Sequence, residues 1–100
     1  EPVDADFEQA AIYWIDVPSE KGLLSIKYQG DCARLYADGK LLADNFYNGR
    51  EFLYGLWRLP QGVKQLELRI LPMQADEPVY FPREADTTPG EKVIACVLYD

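Results

Sequence analysis

The stretch ARLYADGKLLA, Ala33 to Ala43, places an Asp-Gly pair between two short runs rich in apolar residues. A two-residue type I′ turn needs positive φ at both central positions. Asp tolerates this and Gly adopts it freely, so Asp38-Gly39 is the strongest hairpin signal in the chain. Upstream, Cys32 to Ala37 alternates, and Gly30-Asp31 separates it from Leu24, Ile26 and Tyr28, which alternate with Ser25 and Lys27. Downstream, Asn48-Gly49 repeats the hairpin chemistry between ADNFY and REFLYGLWRL, and Pro60-Gln61-Gly62 is a third break. Leu66, Leu68 and Ile70 then alternate with Gln65, Glu67 and Arg69, a clean two-residue period. The β-branched and aromatic runs Ala10 to Val17 and Lys92 to Tyr99 read as the first and last strands. The glycines at 49 and 55 argue against a helix over residues 40–58, since each costs about 1 kcal/mol inside one. Residues 1–9 read as an acidic leader, and residues 72–91, with four prolines, as a long loop with a short extended piece at Val79-Tyr80-Phe81.

Seven or eight short strands punctuated roughly every ten residues predict an all-β fold, a two-sheet antiparallel β-sandwich or barrel. One hundred residues suffice for a single domain and one modest core, burying about 65% of the unfolded surface. The opening Glu1-Pro2-Val3 suggests a segment excised from a larger chain.

Ten basic against 17 acidic residues give a net charge of −7, which disfavours nucleic acid and anionic membranes as partners. Without histidine, Ser-His-Asp and Cys-His catalysis and imidazole metal ligation are excluded. Cys32 and Cys96 match no zinc or redox spacing and read as buried free thiols; a long-range disulfide is the other reading. Asp31, Asp38, Asp44 and Glu51 sit at turns, but their spacing is not that of a calcium loop, so no metal or other cofactor is expected. A paired-carboxylate glycosidase needs a cleft that a sandwich of this size rarely encloses, so the domain itself reads as non-catalytic.

The chemistry is concentrated around Asn48-Gly49. Asp44, Asn45 and Arg50 carry planar hydrogen-bonding groups, and Tyr47, Tyr54 and Trp57 carry aromatic rings. Sugars are held by that combination, a ring stacking on the C–H face of a pyranose while forked donors and acceptors hold its hydroxyls. The expected site has Trp57, Tyr47 or Tyr54 as stacking platform and Arg50, Asn45 and Asp44 as hydroxyl readers, with Tyr80-Phe81-Pro82-Arg83 as second choice. The other reading places these aromatics in the core.

Gly30 to Leu59, containing the hexapeptide DNFYNG, followed by QLELRILP at Gln65 to Pro72, resembles the C-terminal β-sandwich region of Bacteroidetes glycoside hydrolases of the family 35 β-galactosidase type. It is also similar to galactose-binding-like jelly rolls. The resemblance implies a jelly-roll or galactose-binding-like accessory domain of a periplasmic or extracellular carbohydrate-active enzyme. Its partner is then a carbohydrate or the catalytic domain of the same chain, where that family keeps its catalytic carboxylates. The alternative is a free-standing protein-interaction domain with an exposed aromatic patch.

Overall fold

The structure, a computed structural model, describes residues 10–18, 21–72 and 91–99. Seven strands follow one another: β1 (Ala11–Asp16), β2 (Leu23–Gln29), β3 (Cys32–Ala37), β4 (Lys40–Phe46), β5 (Phe52–Gly55), β6 (Gln65–Leu71) and β7 (Lys92–Tyr99). A 3-10 turn, Leu56–Arg58, follows β5. The proposed leader and the Val79-Tyr80-Phe81 piece lie outside the described residues.

The strands form two antiparallel sheets, ordered β1-β6-β3-β4 and β5-β2-β7, packed together as a β-sandwich. The two-residue period of β6 settles the inner face of the larger sheet. Leu66, Leu68 and Ile70 are fully buried, while Gln65 is exposed and Glu67 and Arg69 are half-buried on the outer side. Leu68 lies between Tyr13 of β1 and Leu35 of β3. Leu24, Ile26 and Tyr28 of β2, with Phe52 and Tyr54 of β5, complete the core from the second sheet.

Asp38 (φ 49°) and Gly39 (φ 80°) both adopt positive φ and join β3 to β4, with Ala37 paired to Lys40. The expected hairpin is therefore present. A bulge then gives β4 one extra residue, so that Leu35 faces Ala43 while Tyr36 faces Leu41.

The second turn pair behaves differently. Gly49 adopts positive φ (84°), and the Arg50 backbone N–H donates to Asn48 Oδ1 at 2.9 Å. Yet β4 and β5 belong to different sheets, so Asn48-Gly49 is a crossover between sheets and not a hairpin. The Asn side chain caps its own turn and leaves the next strand free to pair elsewhere, here with β2. Gly30-Asp31 crosses between the sheets in the same way, and the Asp31 N–H donates to the Leu71 carbonyl at 2.8 Å. At the open side of the sandwich, the Tyr13 hydroxyl donates to Glu91 Oε2 at 2.6 Å, linking β1 to the residue before β7.

Candidate functional site

The six residues singled out from the sequence fall in three separate places. Tyr47 and Tyr54 belong to the core, at 6% and 3% exposure. This corrects their assignment as sugar platforms, because neither ring has a face open to a ligand. Tyr47 packs against Tyr28 with ring centroids 5.6 Å apart, and its N–H donates to the Asp31 carbonyl. Tyr54 shares the inner face of β5 with Phe52, and the Arg58 guanidinium lies 4.9 Å from its ring centroid. A phenol can sit inside a core when its polar end finds a partner or reaches a wet margin.

Asn45 is also turned inward. The Tyr28 hydroxyl donates into the pair formed by the Asn45 carbonyl (2.9 Å) and its Oδ1 (2.8 Å). The carboxamide oxygen therefore serves the core, which counts against Asn45 as a hydroxyl reader. Burial, reinforced by the neighbouring Cys32 and Tyr47, pushes the Tyr28 hydroxyl well above the ordinary tyrosine range, so it remains a donor at any physiological pH. Asp44 is exposed on the outer face of the larger sheet, opposite Arg34, and Arg50 is exposed at the crossover.

Trp57 is 67% exposed, but it lies past the far end of β5 from Arg50. The four residues of β5 put roughly 13 Å of strand between them. The structure thus does not gather Trp57 with Asp44, Asn45 and Arg50 into one site. The second-choice segment, Tyr80-Phe81-Pro82-Arg83, lies outside the described residues.

Two surfaces are assembled instead. The first is the outer face of β5-β2-β7. Across it, Gly55, Leu23 and Tyr99 form one cross-strand row, and Leu53, Ser25 and Val97 the next. A Cβ on Gly55 would overlap the Trp57 ring, so the indole lies directly over the glycine and roofs the end of the first row. Trp57, Leu53, Val97 and Tyr99 are all exposed, so these two rows are apolar apart from the small, buried Ser25, and the exposed Lys27, opposite Ala95, follows them on the same face.

The second surface is the outer face of β1-β6-β3-β4. Trp14, Glu67, Tyr36 and Leu41 form one row, and Ile12, Arg69, Arg34 and Asp44 its neighbour. The Arg69 guanidinium pairs with Glu67 and lies 5.0 Å from the Tyr36 ring centroid. A groove of about 420 Å³ opens over the first row, between the Asp38-Gly39 turn and the Gly62–Lys64 loop. Trp14, 61% exposed, stands on one side and Tyr36 on the other.

Trp14 was missed because both faces of AIYWID are apolar. Its signal is parity: Trp14 shares a face with Asp16, a charged residue at the strand end, and both are exposed. Among the described residues, no group of three or more His, Cys, Asp or Glu side chains is placed to hold a metal ion. Compared with protein-family models, curated proteins and solved structures, the chain finds no match.

Proposed function

We propose that this chain is a non-catalytic accessory β-sandwich of a carbohydrate-active enzyme, in the jelly-roll or galactose-binding-like class, and that it acts as a scaffold on the catalytic domain of the same exported chain. The observation that carries this reading is the apolar outer face of β5-β2-β7. Trp57, Leu53, Val97 and Tyr99 lie exposed together on one flat side of the sandwich. Soluble domains seldom leave such a contiguous patch to water, and where they do, it commonly marks an interface. Tryptophan and tyrosine are the side chains that anchor interfaces most often. The resemblance of Gly30 to Leu59 to the C-terminal sandwiches of family 35 enzymes supplies the nature of the covering partner, a catalytic domain on the same polypeptide. Burial of Tyr47 and Tyr54, and the hydrogen bond by which Asn45 Oδ1 is held to the Tyr28 hydroxyl, further favour scaffolding over sugar capture at the Asn48-Gly49 crossover.

The test uses the complete reading frame that encodes this segment. Trp57→Lys with Val97→Lys should leave the isolated domain's melting temperature within a few degrees. In the full chain, the same pair should release the sandwich as an early fragment in limited proteolysis and lower the melting temperature of the catalytic domain. A reading frame without a second domain, or a full chain whose proteolysis is unchanged by the pair, would overturn the scaffold reading. The former result would leave the free-standing interaction domain as the better account.

A further inference from the structure

A sheet edge carries unpaired backbone N–H and C=O groups, and proteins blunt such edges with charge, proline, bulges or brevity. Among the described residues four strands are edges, β1 and β4 of the larger sheet and β5 and β7 of the smaller. Three are blunted. β5 is four residues long, and the Trp57 ring lies over Gly55 at its end. β4 carries Lys40, Asp44 and the bulge opposite Leu35 and Tyr36. β1 ends on Asp16 and has the Glu91 carboxylate held against it by the Tyr13 hydroxyl. The last five residues of β7 have none of these devices. A bulge at Ile94 sets Lys92 apart from them, and from Ala95 to Tyr99 the ladder with β2 is regular, uncharged and free of proline. We infer that this edge pairs, antiparallel and about a two-fold axis, with β7 of a second copy of the chain. The pairing uses a strand edge and does not depend on what covers the outer face.

The inner side of the strand is the first support. Val93, Cys96 and Leu98 face Tyr28, Ile26 and Leu24, all buried, so they point into the sandwich. Yet Cys96 is exposed, and Val93 and Leu98 are only half-buried. A cavity of about 150 Å³ lies between Cys96 and Leu98 of β7 and Ile15 and Val17 across the sandwich. The core is therefore unsealed along β7, and an added strand would lay its own inward side chains beside these and take them out of water.

Self-complementarity is the second support, and it names the occupant. A strand added here must be apolar on both sides, because its inner row meets Cys96 and Leu98 and its outer row meets Val97 and Tyr99. It must also have an edge of its own to offer. β7 meets both conditions and brings no charge into the contact. Side chains directly opposite one another in a pair share a face, so a two-fold through Val97, the middle of the regular run, sets inner against inner and outer against outer. Val97 then stands opposite the partner's Val97, Cys96 opposite the partner's Leu98, and Ala95 opposite the partner's Tyr99. The last two contacts recur by symmetry, as in any isologous interface. Ala95 is small enough to leave the Tyr99 ring room, and the exposed Lys27 beside Ala95 supplies a cation for that ring. The product is a six-stranded sheet, ordered β5-β2-β7-β7-β2-β5, in which the apolar rows of the two outer faces join.

Charge sets the salt dependence. Each copy carries a net charge of −7, so two copies repel at long range, while the paired run itself is neutral. Salt screens the repulsion and leaves the contact unchanged, so association tightens as salt rises. Five paired residues make a small interface, which sets the expected dissociation constant at about 10–100 μM.

The experiment is sedimentation equilibrium of the chain from about 5 μM to 1 mM. It should show monomer and dimer in an equilibrium that tightens about twofold or more between roughly 20 and 500 mM salt. Val97→Lys sets two ammonium groups opposite one another on the axis and should weaken the dimer about fivefold or more; Val97→Asp should do the same. Val97 is exposed in the monomer, so either replacement should leave the melting temperature within a few degrees. Mixing the Val97→Lys and Val97→Asp chains should restore a dimer within about threefold of the parent affinity. Trp57→Lys, on the outer face but away from the edge, should leave association within about twofold. A chain still monomeric at about 1 mM overturns the inference. So does a dimer that weakens with salt, that survives Val97→Lys, or that the mixture fails to restore. Loss of the dimer with Trp57→Lys would put the contact on the sheet face and overturns the edge pairing equally.

Discussion

At Asp38 and Gly39 two consecutive residues hold the backbone at positive φ, which a β-branched side chain can adopt only as a steric outlier. A Cβ on Gly39 would meet no neighbour within 4 Å, so the cost of a larger residue there is conformational and not a clash. Gly39→Val is therefore expected to destabilise the domain by about 1–2 kcal/mol in urea unfolding, and Gly39→Asn by clearly less, since Asn tolerates the left-handed region. Equal losses for the two would mean that packing, not backbone, sets the requirement. The two thiols offer a second contrast at this scale. Cys32 is buried, and burial, reinforced by the nearby Asp44, pushes its thiol up to about 11. Cys96 is free and exposed, departing from the expectation that both are buried. A thiol reagent at pH 8 should modify Cys96 quickly in the native protein and Cys32 only on the timescale of unfolding. Comparable rates at both positions would contradict the placement of β3.

Among the elements, β6 is paired on both sides, as β2 and β3 are, and supplies Leu66, Leu68 and Ile70 to the core. Leu68→Ala should cost about 2–5 kcal/mol by leaving a cavity between Tyr13 and Leu35. A loss under about 0.5 kcal/mol, the level of an ordinary surface change, would be incompatible with that register. This strand was legible from sequence because a two-residue period with apolar residues on one side allows one orientation. The Asp38-Gly39 hairpin was legible for a different reason, since its φ demands restrict which residues can stand there. Sheet membership was not legible. Gly30-Asp31 and Asn48-Gly49 carry the same turn chemistry as Asp38-Gly39, yet both cross between sheets. Turn residues fix the local path of the backbone; which edge the next strand joins depends on the apolar faces that meet far away in sequence. The candidate site suffered from the same limit. Leu53 faces out and Tyr54 in, although composition alone would rank the tyrosine as the more polar residue. Strand parity beside Phe52 decided the matter, and it becomes readable only once β5 is known to pair with β2.

Over the whole molecule, the sandwich has a linked side and two unlike faces. The link is the Tyr13 hydroxyl held by Glu91, which joins the end of β1-β6-β3-β4 to the start of β7. That hydrogen bond first, then burial and the Glu91 charge, raise the Tyr13 pKa; burial raises that of Tyr28 as well. Both groups hold their protons more tightly folded than unfolded. Their contribution to stability is complete below the ordinary tyrosine value near 10 and is lost as pH rises through the raised folded values. The urea midpoint should accordingly gain nothing from these groups' titration below about pH 9 and fall as pH rises above about 10, and Tyr13→Phe should flatten part of that fall. An identical alkaline slope in the variant would remove the Tyr13–Glu91 link from the stability of the fold.

Both tryptophans of the chain stand outside the core, Trp14 on one sheet and Trp57 on the other. In most domains this size, indole emission follows unfolding because the ring moves from a dry interior into water. Here each ring already faces solvent, so denaturation should change the emission maximum little, even while tyrosine circular dichroism reports the loss of the core. Single-tryptophan versions, Trp14→Phe or Trp57→Phe, would turn the remaining fluorophore into a reporter of its own face, responding only when something covers that side of the sandwich.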